Sequence, residues 1–181
     1  MSKLYALLTA NENSAITFKH QQEHDFYDDF VGFNKPIASQ KQPIEMVLLD
    51  KTHTKKISQT PNDDFLFFTI LTVSEKVKLI LDPLIGNLGY WTKLIIGNKY
   101  YYVFNTTTIV NAIDEELSTI DMFDGFKIDI LSYVFNDLDY EQLPIFRSSL
   151  NYGYPIFVNE NFVRLIQSHQ LHGIEFKQVR N

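Results

Sequence analysis

The chain has 181 residues and a formal net charge of −6, with 45% hydrophobic and 21% charged residues. A chain of this length buries roughly 70% of its unfolded surface, so it can fold without disulfides or a structural metal. The acidic balance disfavours a binder of nucleic-acid phosphates, and the absence of cysteine excludes a disulfide framework, a Cys-ligated metal site and a Cys nucleophile.

The first sixty residues predict two strands separated by an irregular segment. Residues 3–9 and 44–49 are apolar runs of strand length, and the asparagines, aspartates, Gly32 and Pro36 between them indicate turns. The N-terminus lacks the apolar length and cleavage site of a secretory signal. No run approaches the roughly 20 apolar residues that span a bilayer. We therefore expect a soluble, cytoplasmic protein.

Two stretches of the chain repeat one pattern. Residues 73–75 (Val-Ser-Glu) open an amphipathic stretch that leads through Gly89 to aromatic residues and a lysine. Residues 158–160 (Val-Asn-Glu) do the same through Gly173. Ser and Asn are favoured N-cap residues, and a Gly often ends a helix. The pattern predicts a helix from Glu75 to about Leu81, where Pro83 ends the helix or begins a second short turn. It also predicts a second helix from Asn159 to His169.

The clearest strand pair begins at the end of the first copy and continues after it. Residues 90–96 and 100–104 are rich in aromatic and β-branched residues, and Gly97-Asn98 between them predicts a hairpin turn. Residues 110–114, 126–130, 145–147, 154–158 and 174–179 predict further strands. The second helix should bury Phe162, Leu165 and Ile166, which lie at helical spacing.

These elements predict an α+β fold in which a few helices pack on antiparallel sheet, with two similar strand–helix–strand units. We expect a single domain over residues 1–181. It divides into N-terminal strands and an irregular segment (1–60), a first repeat unit (61–112), an acidic connection (113–141) and a second repeat unit (142–181). Ser74, Gly89, Arg147, Asn159 and Gly173 are expected to be structural, Arg147 through an ion pair in the core.

Residues 113–141, hereafter the acidic segment, hold nine acidic residues against one lysine, a net charge of −8. Such a segment suits a basic partner and could speed its association, although a solvated surface that keeps the protein soluble is the more common explanation of such a run of charges. The candidate partner-binding residues are Asp114, Glu115, Glu116, Asp121, Asp124, Asp129, Asp137 and Asp139.

Signals for catalysis are weak. Residues 20–24 match H-x-x-E-H, an inverted zinc-protease motif, but their polar, turn-rich flanks argue against the long helix that this motif needs. His169 and His172, Asp63-Asp64 and the carboxylates at 114–116 are more typical of helix ends and turns than of metal or acid–base sites. We therefore expect no catalytic residues, no metal and no cofactor.

An ordered series of short motifs resembles a known family. The series comprises Asp64-Phe65, Val73-Ser74-Glu75, the run from Val110 to Ser118, Ile145-Phe146-Arg147, the run from Ile156 to Glu160, and the run from Leu171 to Phe176. In this order it is similar to the DUF1629-type immunity proteins of bacterial polymorphic toxin systems, the eleventh family of that classification. The likeness covers roughly residues 60–180, and Asn159 stands where the family pattern has Ser.

The resemblance implies a small cytoplasmic immunity protein that is encoded beside a toxin and neutralises it by stoichiometric binding, without catalysis. The cognate toxin domain would be its partner, with no nucleic acid and no membrane involved. Two alternatives stay open at this point: a small metal-dependent hydrolase, and a structural or adaptor subunit of a secretion or phage-derived assembly.

Overall fold

The computed structural model describes residues 2–9, 15–19, 43–50, 55–57, 60–61, 63–66, 70–123, 126–150 and 155–180. The strands are β1 (Leu4–Thr9), β2 (Ile16–Phe18), β3 (Ile44–Leu49), β4 (Lys56–Ile57), β5 (Phe65–Leu66), β6 (Thr72–Ser74), β7 (Gly89–Ile96), β8 (Lys99–Thr106), β9 (Ile109–Val110), β10 (Thr119–Phe123), β11 (Phe126–Ser132), β12 (Ile145–Ser148), β13 (Ile156–Asn159) and β14 (Ile174–Arg180). The helices are α1 (Glu75–Ile85) and α2 (Glu160–Ser168).

The described residues form mostly β-sheet with two short helices, which is consistent with the expected α+β class. The sheets are mixed, however, so the expectation of antiparallel sheet holds for part of the strand pairs. β3 pairs with β7 in parallel, and β9 pairs with β12 in parallel. Parallel neighbours need a long connection, and α1 between β3 and β7 and the β10–β11 hairpin between β9 and β12 provide it.

Contacts divide the chain into two compact units. The first contains most of β1 and β14 together with β9–β13 and α2, and the second contains β2–β8 and α1. The boundaries expected at residues 60, 112 and 141 rest on sequence patterns and not on contacts. The expectation of a single domain stays a prediction.

The second unit is a seven-stranded sheet in the order β2-β3-β7-β8-β6-β5, with β4 beside β3. The predicted hairpin is confirmed: β7 and β8 pair along their whole length, from Gly89 opposite Thr106 to Ile96 opposite Lys99. Gly97 in the turn has a φ of +62°, which glycine adopts without strain. The alternating aliphatic and aromatic residues of both strands supply buried side chains to this unit's core.

Helix α1 begins at the predicted residue and runs further than predicted. Ser74 is its N-cap, and the Ser74 hydroxyl accepts from the backbone N–H of Val77. Pro83 lies inside the helix, so the expected end near Pro83 is wrong. Val77, Leu81 and Ile85 are fully buried at a spacing of four. Burial of Ile85 therefore outweighs the one backbone hydrogen bond that a proline removes.

Trp91 on β7 fastens α1 to the sheet. Its indole N–H donates to the Asp82 carboxylate at 2.7 Å, and its ring lies 4.7 Å from that of Phe104. Lys78 extends over the Trp91 ring, with its ammonium nitrogen 5.6 Å from the ring centroid.

The first unit is built on a five-stranded sheet in the order β14-β1-β13-β12-β9. Side chains of neighbouring residues in a strand point to opposite faces. Leu4, Ala6 and Phe157 therefore face one side, where a hydrophobic cluster forms. Tyr5 faces the other side, where its ring packs on Phe176, which in turn packs on Phe162 of α2, each pair at 6.3 Å.

Helix α2 has Asn159 as its N-cap, as the pattern predicts. It buries Phe162, Val163 and Ile166, whereas Leu165, expected in the core, is half-buried. The buried side of α2 therefore includes Val163 in place of the expected Leu165.

The predicted glycine stop of α2 is wrong. The helix ends at Ser168 with His169 as C-cap, and the next residue, Gln170, has the left-handed φ of +51°. Gly173 also has a positive φ, of +96°, but lies just before β14. In the other copy, Gly86 is the C-cap residue of α1 and Gly89 is the first residue of β7.

The two strands that belong to one copy of the pattern are not neighbours in their sheet, because a third strand lies between them. β8 separates β6 from β7, and β1 separates β13 from β14. The equivalence of the two copies as structural repeats stays a prediction.

Candidate partner-binding surface

The acidic segment folds back on itself instead of forming an extended connection. Strands β10 and β11 pair antiparallel, and an isolated bridge joins Ile113 to Phe135. The Ser118 hydroxyl accepts from the backbone N–H of Val134 at 2.9 Å. The segment therefore runs outward along residues 113–123 and returns along residues 126–135. Strand β10 was missed by the sequence analysis, because its five residues carry no long alternating pattern.

Aromatic residues just after β11 hold this hairpin on the first unit's sheet. Tyr133 and Phe135 pack their rings on Phe157, at 5.5 and 5.4 Å. Phe157 in turn lies 5.5 Å from Phe146 on β12, and Ile130 is 6% exposed within the same cluster. The hairpin thus covers the face of the sheet opposite α2, and apolar burial fixes its position.

A network of hydrogen bonds centred on Tyr140 fixes the end of the acidic segment. Tyr140 is 1% exposed, and its hydroxyl donates to the carbonyl of Asn136 at 2.9 Å and lies 3.3 Å from that of Ala112. The guanidinium of Arg180 stacks over its ring at 4.9 Å. Burial raises the pKa of the Tyr140 phenol, which Asp137 raises further and Arg180 opposes. The phenol therefore stays protonated at neutral pH and can donate.

Asn159 links this network to α2. Its side-chain carbonyl accepts from the backbone N–H of Phe162 at 3.2 Å, which caps the helix. Its amide group donates to the carbonyls of Tyr140 and Glu141 at 2.9 and 3.2 Å. A serine at this position caps the helix equally well but has one hydroxyl in place of the two N–H donors. Asn159, which stands where the family pattern has Ser, thus holds the end of the acidic segment in place.

Two of the predicted partner-binding carboxylates have local structural roles. Asp114 accepts from the backbone N–H groups of Glu116 and Leu117, both at 3.0 Å. Asp139 accepts from the N–H of Glu141 at 3.2 Å and caps a short 3₁₀ turn. These contacts shape the turns before β10 and after β11. Both residues therefore contribute to folding whether or not they contact a partner.

The other predicted residues divide by position along the hairpin. Glu115, Glu116 and Asp137 are exposed near its base, and Asp121 is exposed on β10. Asp124 lies outside the described residues, and only the backbone of Asp129 is described. Asp121 stands opposite Asp129 in the register of the two strands. Like charges at opposite positions destabilise a hairpin, so this pairing is unfavourable for folding alone.

The predicted structural residues outside this surface have distinct roles. Gly89 has an extended backbone, and a Cβ there would lie 2.3 Å from the carbonyl oxygen of Asn105. The role of Gly89 is therefore to let β7 and β8 approach each other closely. Arg147 is 3% exposed on β12, and its backbone N–H donates to Thr108. The expected ion pair of Arg147 stays a prediction.

Sequence reasoning overlooked exposed apolar residues within the acidic segment. Leu117 and Leu131 are 67% and 64% exposed. Leu117 directly follows three acidic residues, and Leu131 follows the buried Ile130, so each breaks the expected pattern of its neighbourhood. These positions could have indicated exposed leucines, because a leucine that breaks the local pattern of buried positions is not needed in the core.

The described residues hold no group of three or more His, Asp or Glu side chains that could bind a metal. The H-x-x-E-H motif at 20–24 lies outside the described part of the chain. His169 and His172 are both exposed, and His169 is the C-cap of α2. Among the described helices, none has the length and apolar character needed to cross a membrane.

Residues 96–181 match a sequence model described as an immunity protein family, Imm11. The resemblance is confirmed over this range. The match contains the acidic segment, Arg147, Asn159 and all of α2, whereas Asp64 and the first Val-Ser-Glu copy, which the sequence analysis included in the likeness, precede it. No curated protein matches the chain. Similarity to an immunity family suggests a role in toxin immunity.

Proposed function

We propose that this chain is an immunity protein that binds and neutralises a cognate toxin of a bacterial polymorphic toxin system. It acts in the cytoplasm of the cell that makes the toxin, by stoichiometric protein–protein contact and without catalysis. The observation that carries the proposal is the family match over residues 96–181. Immunity families are in general non-enzymatic, which supports inhibition by binding.

The acidic segment is the favoured contact surface in this proposal. Its net charge of −8 contrasts with the weakly positive remainder of the chain. Exposed carboxylates such as Glu116, Asp121 and Asp137 create a negative potential that attracts a basic surface. A toxin that binds nucleic acid or another anionic substrate has a basic groove, and carboxylates then occupy the places of the substrate's anionic groups.

Rigid attachment of the segment supports the same role. Ring contacts of Tyr133 and Phe135 with Phe157, together with the Asn159 amide bonds, hold residues 133–141 in place before any partner arrives. Binding therefore loses little conformational freedom, and more of the contact energy contributes to affinity.

Co-expression tests the proposal. The gene beside the one for this chain is searched for a large protein whose C-terminal domain kills cells, and that domain is expressed with and without this chain. We expect killing by the domain alone and survival with the chain. Killing that persists at equal expression, or a neighbouring gene whose product is harmless, would contradict the proposal.

Charge reversal tests the contact surface separately. The variant Glu116→Lys/Asp121→Lys/Asp137→Lys should lose protection and associate with the toxin domain several-fold more slowly at low salt, because steering depends on these charges. The matched control is Glu175→Lys, an exposed acid outside the acidic segment. Equal protection and association by the triple variant and the control would remove the acidic segment from the contact.

A further inference from the structure

Exposed apolar side chains concentrate in the acidic segment. Among the described residues, nine large hydrophobic side chains are exposed, and four of them lie here: Leu117 at 67%, Leu131 at 64%, Leu138 at 38% and Val134 at 36%. An apolar group rimmed by polar residues is typical of protein-interaction surfaces. The rim here is acidic, since Leu117 follows Glu116 and Leu138 stands between Asp137 and Asp139.

The backbone of the hairpin keeps Leu131 out of the core. Ile130 pairs with Ile120, Ser132 pairs with Thr119, and the register shifts between them, so Leu131 is an extra residue without a partner across the ladder. A bulge of this kind redirects side chains and is often found at functional positions. Ile130 fills the inward position at 6% exposure, while Leu131 stays exposed.

Leu117 is held outward by its turn. The Asp114 carboxylate accepts from the Leu117 N–H, and the Ser118 hydroxyl accepts from the backbone N–H of Val134, two residues after β11 ends. The pairing of Thr119 with Ser132 places Leu117 and Leu131 within two residues of one pair of the ladder. Leu117, Leu131 and Val134 therefore all lie towards the base of one hairpin.

We propose that Leu117 and Leu131 are the apolar anchors of the toxin-binding surface and that their partner is a basic protein surface with apolar pockets between its cations. This inference rests on the proposed function and specifies the chemistry of the partner. Charge complementarity selects that partner over a second copy of this chain, because a self-contact would bring two segments of net charge −8 together. Carboxylates at the rim guide the encounter, and the leucines, buried on docking, slow dissociation.

The test measures binding of Leu117→Ser, Leu131→Ser and the double variant to the purified C-terminal domain of the neighbouring toxin. The matched control is Leu79→Ser, at a residue that is 65% exposed on α1 outside the acidic segment. Each single variant should weaken Kd by about tenfold through faster dissociation, with an unchanged association rate. Exposed leucines contribute little to folding, so the thermal midpoints of all variants should match that of the wild type.

The possible outcomes distinguish a failure of the proposed anchors from a failure of the proposed function. Wild-type binding with the double variant within about twofold of it would overturn the anchors and leave the proposed function in place. A wild-type chain that does not bind the domain would overturn the proposed function and the anchors with it. A wild-type dimer in sedimentation that the double variant loses would assign the leucines to self-association and overturn the proposed partner.

Discussion

Asn159 shows how one side chain serves both folding and surface presentation. Its counterpart in the first copy, Ser74, also caps a helix and also makes a second bond, because its hydroxyl donates to Asp64 at 2.8 Å. Asn159 instead donates to two backbone carbonyls at the end of the acidic segment. The sequence predicts the caps, since Ser and Asn are N-cap residues, but it does not predict the second partner, which comes from elsewhere in the chain.

Replacing Asn159 by Ser should destabilise the protein by about 2 kcal/mol. The cap is retained, and the cost comes from the carbonyls of Tyr140 and Glu141, which lose the Asn159 amide in a site where Asn159 is 2% exposed. The Tyr140 carbonyl keeps the backbone N–H of Leu143 as a donor. Urea unfolding measures the change, with Ser74→Asn as a control that also exchanges one N-cap residue for another. Equal stability of Asn159→Ser and the wild type would show that the amide bonds do not fasten the segment.

Replacing Gln170 by Gly should stabilise the protein by about 1 kcal/mol, because a non-glycine residue with left-handed φ is strained. The change in the thermal midpoint measures this gain. His169→Gly, one residue earlier and at negative φ, is the control and should be destabilising. A destabilising Gln170→Gly would mean that the side chain outweighs the backbone strain.

At the scale of elements, local patterns succeeded where they had enough residues to repeat. The β7–β8 hairpin and the starts of both helices follow from alternation, a turn dipeptide and capping residues. The short strands β2, β4, β6 and β10 were missed, because two to five residues carry too little pattern and their pairing depends on distant strands. Pro83 misled the prediction of the end of α1, since burial of Ile85 is a tertiary effect.

Gly89→Ala should destabilise the protein by about 2 kcal/mol or more, because the new Cβ would meet strand β8. That Cβ would lie 2.3 Å from the Asn105 carbonyl oxygen and 2.8 Å from Thr106 Cα, and neither backbone atom can move alone. Gly86→Ala is the matched control. Its Cβ would meet only the carboxylate end of Asp82, which can turn aside at the cost of its bond to Trp91, and its helical backbone suits alanine, so a smaller loss is expected. Comparable losses in urea unfolding for the two variants would contradict this role of Gly89.

At the scale of the whole molecule, alkaline pH should destabilise the second unit. Burial is the main cause that raises the pKa values of Tyr101 and Tyr102 to about 12. Unfolded tyrosine ionises near its ordinary value of 10, so these phenols stabilise the folded state fully below that pH. The stabilisation is lost as the pH rises from 10 towards 12.

Thermal midpoints across this pH range, with absorbance of the phenolates as the second readout, check the prediction. Tyr101→Phe removes the ionising group and the bond of its hydroxyl to the Pro61 carbonyl at 2.9 Å. This variant should be less stable at neutral pH and lose less stability above pH 10. A wild-type midpoint that stays flat up to pH 12 would contradict the assignment.

The candidate surface was predictable in composition but not in form. Its charge is visible in residues 113–141 of the sequence, and the family match over residues 96–181 includes that segment. The outward direction of Leu131 depends on a bulge, and the attachment through Tyr140 depends on the carbonyl of Ala112, which lies 28 residues away and which only the folded chain brings close. Such long-range contacts have no local signature.

The claim that this chain neutralises a toxin by stoichiometric binding is tested most directly by titration. A fixed amount of the purified toxin domain receives increasing amounts of the chain, and residual toxin activity and complex formation are measured together. We predict that activity falls linearly and reaches zero at a fixed molar ratio, where all toxin migrates as a complex. Complete inactivation by a small fraction of that amount, or inactivation without a complex, would contradict stoichiometric binding and indicate catalysis.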